Sequence, residues 1–169
     1  MIYFDNSSTT SVRAEVSRIY AQLIQEAYAN PDAMHTPGRE VSKMMETSRK
    51  KIAEMLKVAY EEVLFTSSAS ESNSLAIIGY CLANSHRGKH ILLSNAEHAS
   101  VSHSFEWLQS MGFEVEYLSI DASGKVTWQE LKNKIRKDTI LVSCMHVNNE
   151  MGAINPIDKL ADVVHTHPT

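Results

Sequence analysis

Four short runs rich in branched and aromatic residues recur along the chain: residues 62–66 (EVLFT), 90–94 (HILLS), 113–120 (FEVEYLSI) and 139–147 (TILVSCMHV). Each is followed by a stretch whose apolar residues fall at helical spacing. These are Leu75, Ile78 and Leu82, then Val101, Phe105 and Leu108, then a short helix capped by Thr127 with Glu130, then Leu160, Ala161 and Val164 behind Asn155 and Pro156. A strand that alternates with a helix cannot pair with its successor through a tight turn. The alternation therefore predicts an α/β fold: a mostly parallel sheet with flanking helices. The run at 139–147 is nearly all apolar, as expected of a strand covered on both faces.

Ahead of the first strand lie two further helical patterns. Val16, Ile19, Tyr20, Leu23 and Ile24 form one; Val41, Met44, Met45, Ile52, Met55 and Leu56 form the other. The loop ANPDAMHTPGR divides them. Residues 1–14 read as an extended N-terminal arm, and residues 15–169 as one α/β domain that stops in mid-pattern, since no strand follows the last helix. The chain thus reads as a truncated one.

The bulk numbers exclude several classes. With 169 residues, 43% of them hydrophobic and 21% charged, the chain can build a core. A net charge of −4 gives no global attraction to nucleic acid or to an anionic membrane. Cys81 and Cys144 stand too far apart for a metal-ligand motif, and no disulfide framework or metal is expected. MIYFDNSSTT lacks the basic and apolar regions of a secretory signal, and no apolar run reaches spanning length. A cytoplasmic location is the resulting expectation.

In parallel sheets ligands gather beyond the carboxyl ends of the strands. That rule selects three loops: residues 67–70, 95–98 and 148–150. The first, within FTSSASESN, is open to two readings. Ser68 and Glu71 satisfy a helix capping box. The same helix start, with hydroxyls at Ser67, Ser68 and Ser70, is also a plausible phosphate cradle. A nucleotide P-loop is excluded, because Gly88-Lys89 lacks the earlier glycine and is followed by His90. His98 leaves a strand and enters a helix, a position suited to proton transfer or ring stacking. Asn148, Asn149 and Glu150 put amides and a carboxylate at the end of an apolar strand, where they need partners or a ligand. Neither cysteine looks activated.

YFDNSSTT, ANPDAMHTPGR, FTSSASESNSLAI, NAEHASV and ILVSCMHVNNEMG, in this order and spacing, resemble successive landmarks of the cysteine desulfurases of the NifS/IscS type. These belong to class V of the pyridoxal phosphate (PLP)-dependent aminotransferases. The resemblance covers essentially the whole chain. It implies the large-domain part of a fold-type I PLP enzyme, with pyridoxal 5'-phosphate as cofactor. Ala69 and Ser70 would hold the phosphate, His98 would stack on the ring and assist proton transfer, and Asn149 would bond the ring's phenolic oxygen. Asn6, Ser7 and Ser8 would line the substrate pocket, with His35 and Gly38 in a loop near the site. Serines stand at 68 and 70 where the family usually has glycine and threonine, and Ser8 stands for an alanine.

The family's Schiff-base lysine and its sulfur-accepting loop cysteine lie in motifs absent from this sequence, so the 169 residues alone are expected to be inactive. For the parent enzyme the resemblance implies conversion of L-cysteine to alanine plus an enzyme persulfide, for iron–sulfur or thiolation pathways. A sulfur-acceptor protein and a homodimer come with it. Another class V activity, an aminotransferase or selenocysteine lyase, shares the residues present. A non-catalytic product that binds PLP or phosphate is the remaining alternative.

Overall fold

The computed structural model describes residues 2–167. Its contacts divide the chain into two compact units, Met1–Phe65 and Thr66–Thr169.

The first unit is helical. α1 (Ala14–Glu26) exposes its apolar positions: Val16, Ile19, Tyr20, Leu23 and Ile24 are all at least two-fifths exposed. α2 (Thr36–Leu56) buries Ala53 and Gly38 rather than its methionines. Its N-terminus is capped by His35, whose Nδ1 accepts the Gly38 N–H at 3.1 Å. Gly38 is required by packing: a Cβ there would sit 2.7 Å from the Asn30 carbonyl oxygen. Residues 6–8 form a turn in which Ser8 and Thr9 donate to the Asp5 carbonyl, both at 3.2 Å.

The run at 62–66 was expected to be a strand, and the structure corrects this. A 3₁₀ turn at Tyr60–Glu62 runs into residues with extended backbone, such as Val63 at φ −96° and ψ 112°, that join no ladder. A strand exists only through a neighbour's hydrogen bonds, and among the described residues none offers them.

The second unit holds a three-stranded parallel sheet, order β2-β1-β3. Its strands are β1 (His90–Ser94), β2 (Glu114–Leu118) and β3 (Thr139–Ser143). α3 (Ala69–Ala83), α4 (Ala99–Ser110), α5 (Trp128–Lys134) and α6 (Ile157–Thr166) accompany them. Every strand of this unit leads towards a helix, so all three run the same way and their carboxyl ends share one edge. One apolar cluster joins Ile77 and Cys81 of α3 to Ile91, Leu93, Val101, Phe105 and Leu108. Another joins Leu92, Leu118, Val126, Leu131 and Leu160. They take alternate residues of β1, as the two-residue side-chain period requires.

Burial departs from the sequence reading in two places. β1, central in the sheet, is fully buried, whereas β3, read as doubly covered, has only Thr139 buried, its other residues half-buried, and ends at Ser143. α3 turns Ile77 and Cys81 inward and leaves Leu75 and Leu82 about half exposed.

Candidate functional site

The turn after β1, the segment after β2 and the loop after β3 meet in a cavity of about 300 Å³, with His98, Ile120, Asn148 and Asn149 in its wall. The elements behind it explain the placement. β1 ends at Ser94, the chain turns through Asn95–Glu97, and His98 becomes the N-cap of α4. Its Nδ1 accepts the Ser100 N–H at 3.1 Å and lies 2.8 Å from the Ser100 hydroxyl. An acceptor Nδ1 fixes the neutral ring as the Nε2–H form.

Asn148 and Asn149 are adjacent in sequence and opposite in role. Asn148 is buried: its Nδ2 donates to the Ala96 carbonyl at 2.9 Å, and its Oδ1 accepts the N–H groups of Glu150 at 2.9 Å and Met151 at 2.7 Å. Asn149 is exposed on the cavity wall, and among the described residues its amide has no hydrogen-bond partner. One amide is spent on structure while the other is free.

The serine loop opens α3, which packs against α4. Ser68 Oγ caps α3 by accepting the Glu71 N–H at 3.3 Å. The reciprocal half of the expected capping box does not form. The Glu71 carboxylate instead takes the Ser67 N–H and hydroxyl, each at 2.6 Å, and these bonds hold it below the usual carboxylate range. Ala69 and Ser70 begin the helix exposed, and among the described residues neither N–H has a partner. α3 is tied to α4 by Asn73 Nδ2 donating to Ser100 Oγ at 2.9 Å, and by Ser74 with Ser104 at 3.3 Å. Asn6, Ser7 and Ser8 lie in the first unit.

Two residues escaped sequence reasoning. Glu97 lines the cavity and keeps Oε1 buried with no partner among the described residues; burial pushes its carboxyl up. Its signal was its place, an acid directly before the strand-end histidine. Asn155 was expected to cap α6, but Pro156 holds that position. The Asn155 side chain instead accepts the Val126 N–H at 2.8 Å and donates to the Met145 carbonyl at 2.7 Å. Neither thiol is activated: burial pushes Cys81 up to about 11 and Cys144 up to about 12. Among the described residues, no group of three or more His, Cys, Asp or Glu could hold a metal ion, and no helix is long and apolar enough to cross a membrane.

The free groups suit a phosphorylated pyridine aldehyde. Two unpartnered N–H groups and a hydroxyl at the N-terminus of a 15-residue helix suit a phosphate. A ring held at Nδ1 has a face left for stacking, and a free amide can donate to a phenolic oxygen.

The chain is 42% identical over 168 residues to a "NifS/IcsS protein homolog" of Lactobacillus delbrueckii subsp. bulgaricus, covering 99% of this chain and 44% of that protein. It is 41% identical over 165 residues to "Cysteine desulfurase IscS 1" of Archaeoglobus fulgidus, covering 98% of this chain and 43% of the relative. The chain therefore spans less than half the length of these curated relatives. Among solved structures, a "NIFS-like protein" superposes with a TM-score of 0.93 at 34% identity, over 99% of this chain and 46% of its own. "SspA in complex with cysteine" superposes with a TM-score of 0.89 at 34% identity, over 98% and 48%. The family model for aminotransferase class-V matches residues 2–168, and the chain belongs to that family.

Proposed function

We propose that these loops are the cofactor side of the active site of a PLP-dependent cysteine desulfurase, which releases alanine from L-cysteine and retains the sulfur for an acceptor protein. The observation that carries the reading is the division of labour between Asn148 and Asn149: one amide both donates and accepts within the protein, and the next has no partner among the described residues on the wall that holds His98. The relatives named cysteine desulfurase, and the neighbour described in complex with cysteine, supply the substrate.

Bound here, PLP would supply an electron sink for charge developing on the substrate carbon. Ala69 and Ser70 would hold its phosphate, and Asn149 would fix its ring by a hydrogen bond. His98 would cover a ring face, and with Nδ1 committed to α4 its mobile proton is the one on Nε2. As a neutral ring it is thus poised to donate; acting as a base at Nε2 requires the proton to move to Nδ1 at the expense of the helix cap. Asn6, Ser7 and Ser8 are assigned to substrate binding on resemblance alone. A homodimer, a sulfur-accepting partner and a cytoplasmic location belong to the same reading.

The test is to purify the protein as its gene encodes it, add PLP, L-cysteine and a thiol reductant that releases the retained sulfur as sulfide, and measure alanine and sulfide. Alanine formation that falls about a hundredfold or more in N149A or H98N supports the assignment. Transamination, or turnover of selenocysteine alone, would move the protein to another class V activity. No uptake of PLP would overturn the cofactor.

A further inference from the structure

Ser100 presents two donors to one acceptor. Its backbone N–H reaches His98 Nδ1 at 3.1 Å, and its hydroxyl lies 2.8 Å from the same nitrogen. Any residue but proline would supply the N–H; the hydroxyl is what serine adds. A hydroxyl can turn either way, giving its proton to Nδ1 or taking one from it. Asn73 bears on that choice, because its Nδ2 donates to Ser100 Oγ at 2.9 Å from a helix 27 residues earlier in the chain. Among the described residues Asn73 and His98 are the hydroxyl's two side-chain partners. Asn73 takes one lone pair of Oγ, and the Ser100 N–H is already aimed at Nδ1. Every proton then finds an acceptor in one arrangement: Asn73 N–H to Oγ, Oγ–H to Nδ1, and the ring's own proton on Nε2.

We infer that Asn73 and Ser100 are positioning residues for His98: an amide on α3 orients a hydroxyl on α4, and that hydroxyl holds the ring in the cavity wall with its proton on Nε2. The inference rests on the proposed function only in naming what the ring meets. Both residues are half-buried and neither lines the cavity, so neither needs to touch a ligand. Asn73 stands one turn beyond Ser70 on α3. One hydroxyl therefore links the helix proposed to hold the phosphate to the histidine proposed to cover the ring. A second tie between the same two helices, Ser74 with Ser104 at 3.3 Å, makes no bond to His98 and serves as the control.

Nitrogen-15 spectra of labelled histidine test the relay, in the protein as its gene encodes it, free of PLP and at about pH 8.5, above the ordinary imidazole range. The signals lost in H98N identify those of His98. In the wild type Nδ1 should resonate as a nitrogen without a proton and Nε2 as one that bears it. N73D replaces the donor by a carboxylate, which draws the Ser100 hydroxyl away from the ring and should raise the share of the Nδ1–H form about tenfold. S100A, left with the backbone bond alone, should shift the same way to a smaller extent. S100T keeps a hydroxyl and S74A breaks only the second tie, so both should keep the wild-type signature. PLP affinity should fall about three- to tenfold in N73D and S100A and stay within about twofold in S100T and S74A. A wild-type His98 signature in N73D and S100A, or an S74A as disturbed as N73D, overturns the inference. If N73D does not fold, S100A against S100T decides the matter. Signatures as expected in a protein that takes up no PLP would leave the relay standing and remove the cofactor reading alone.

Discussion

Asn148 and Asn149 show how much a residue's neighbours decide what it does. Replacing Asn148 by alanine strands the N–H groups of Glu150 and Met151 and the Ala96 carbonyl, a cost of about 2–3 kcal/mol, visible as a lower melting temperature. N149A, which removes no hydrogen bond among the described residues, should melt with wild type and differ only in binding PLP. From the residues themselves the two amides read alike, and only the resemblance singled out Asn149. Glu97 carries a second prediction. Its carboxyl is held above the ordinary range by burial, so the folded state binds its proton more tightly than the unfolded chain does. Stability is then greatest below the unfolded-state value and declines as pH rises from there through the raised folded-state value. E97Q, permanently neutral, should lose that decline, as urea midpoints at pH 4 and pH 7 would show. A position in sequence does not reveal desolvation, which is why Glu97 was not read there.

His98 caps its helix and is proposed to meet the cofactor ring, and substitution can separate the two. As N-cap of α4 it satisfies the Ser100 N–H, a contribution of about 1 kcal/mol that alanine loses. Asparagine also caps well, so H98N should recover the melting temperature lost in H98A without recovering turnover; recovery of both would make the ring dispensable. The helices and all three strands were legible because their periodicity is local. The run at 62–66 failed as a strand because extended chain becomes a strand only beside a partner, and the depth of β3 was misread because burial belongs to its place in the sheet. The Thr127 cap on α5 was read correctly: its hydroxyl accepts the Glu130 N–H at 3.2 Å. The Glu130 carboxylate goes instead to the Ser119 N–H at 3.1 Å and to Lys134 at 3.0 Å.

Across the second unit the two sheet edges differ. β2 carries Glu114 and Glu116, paired with Arg136 at 2.7 Å and Lys134 at 3.4 Å, a charged edge that resists adding a strand. β3 offers Ile140, Leu141 and Val142, half-buried, with no strand on its outer side among the described residues. The isolated 169 residues should therefore associate as concentration rises, and sedimentation velocity would show it; a monomer at every concentration would mean that the β3 edge is covered. The parallel sheet and the meeting of two of the three selected loops were legible from alternation, since parallel strands put their carboxyl ends on one side.

The Glu150 N–H bond to Asn148 also bears on how the protein ages. An asparagine deamidates when the backbone nitrogen of the following residue attacks its side-chain carbonyl, and for Asn149 that nitrogen belongs to Glu150. Asn148 keeps it occupied. The buried amide thus shields its exposed neighbour from slow conversion to aspartate, which would replace a donor by a carboxylate in the cavity wall. On long storage, N148A should accumulate that product at position 149 faster than wild type, readable by peptide mass spectrometry.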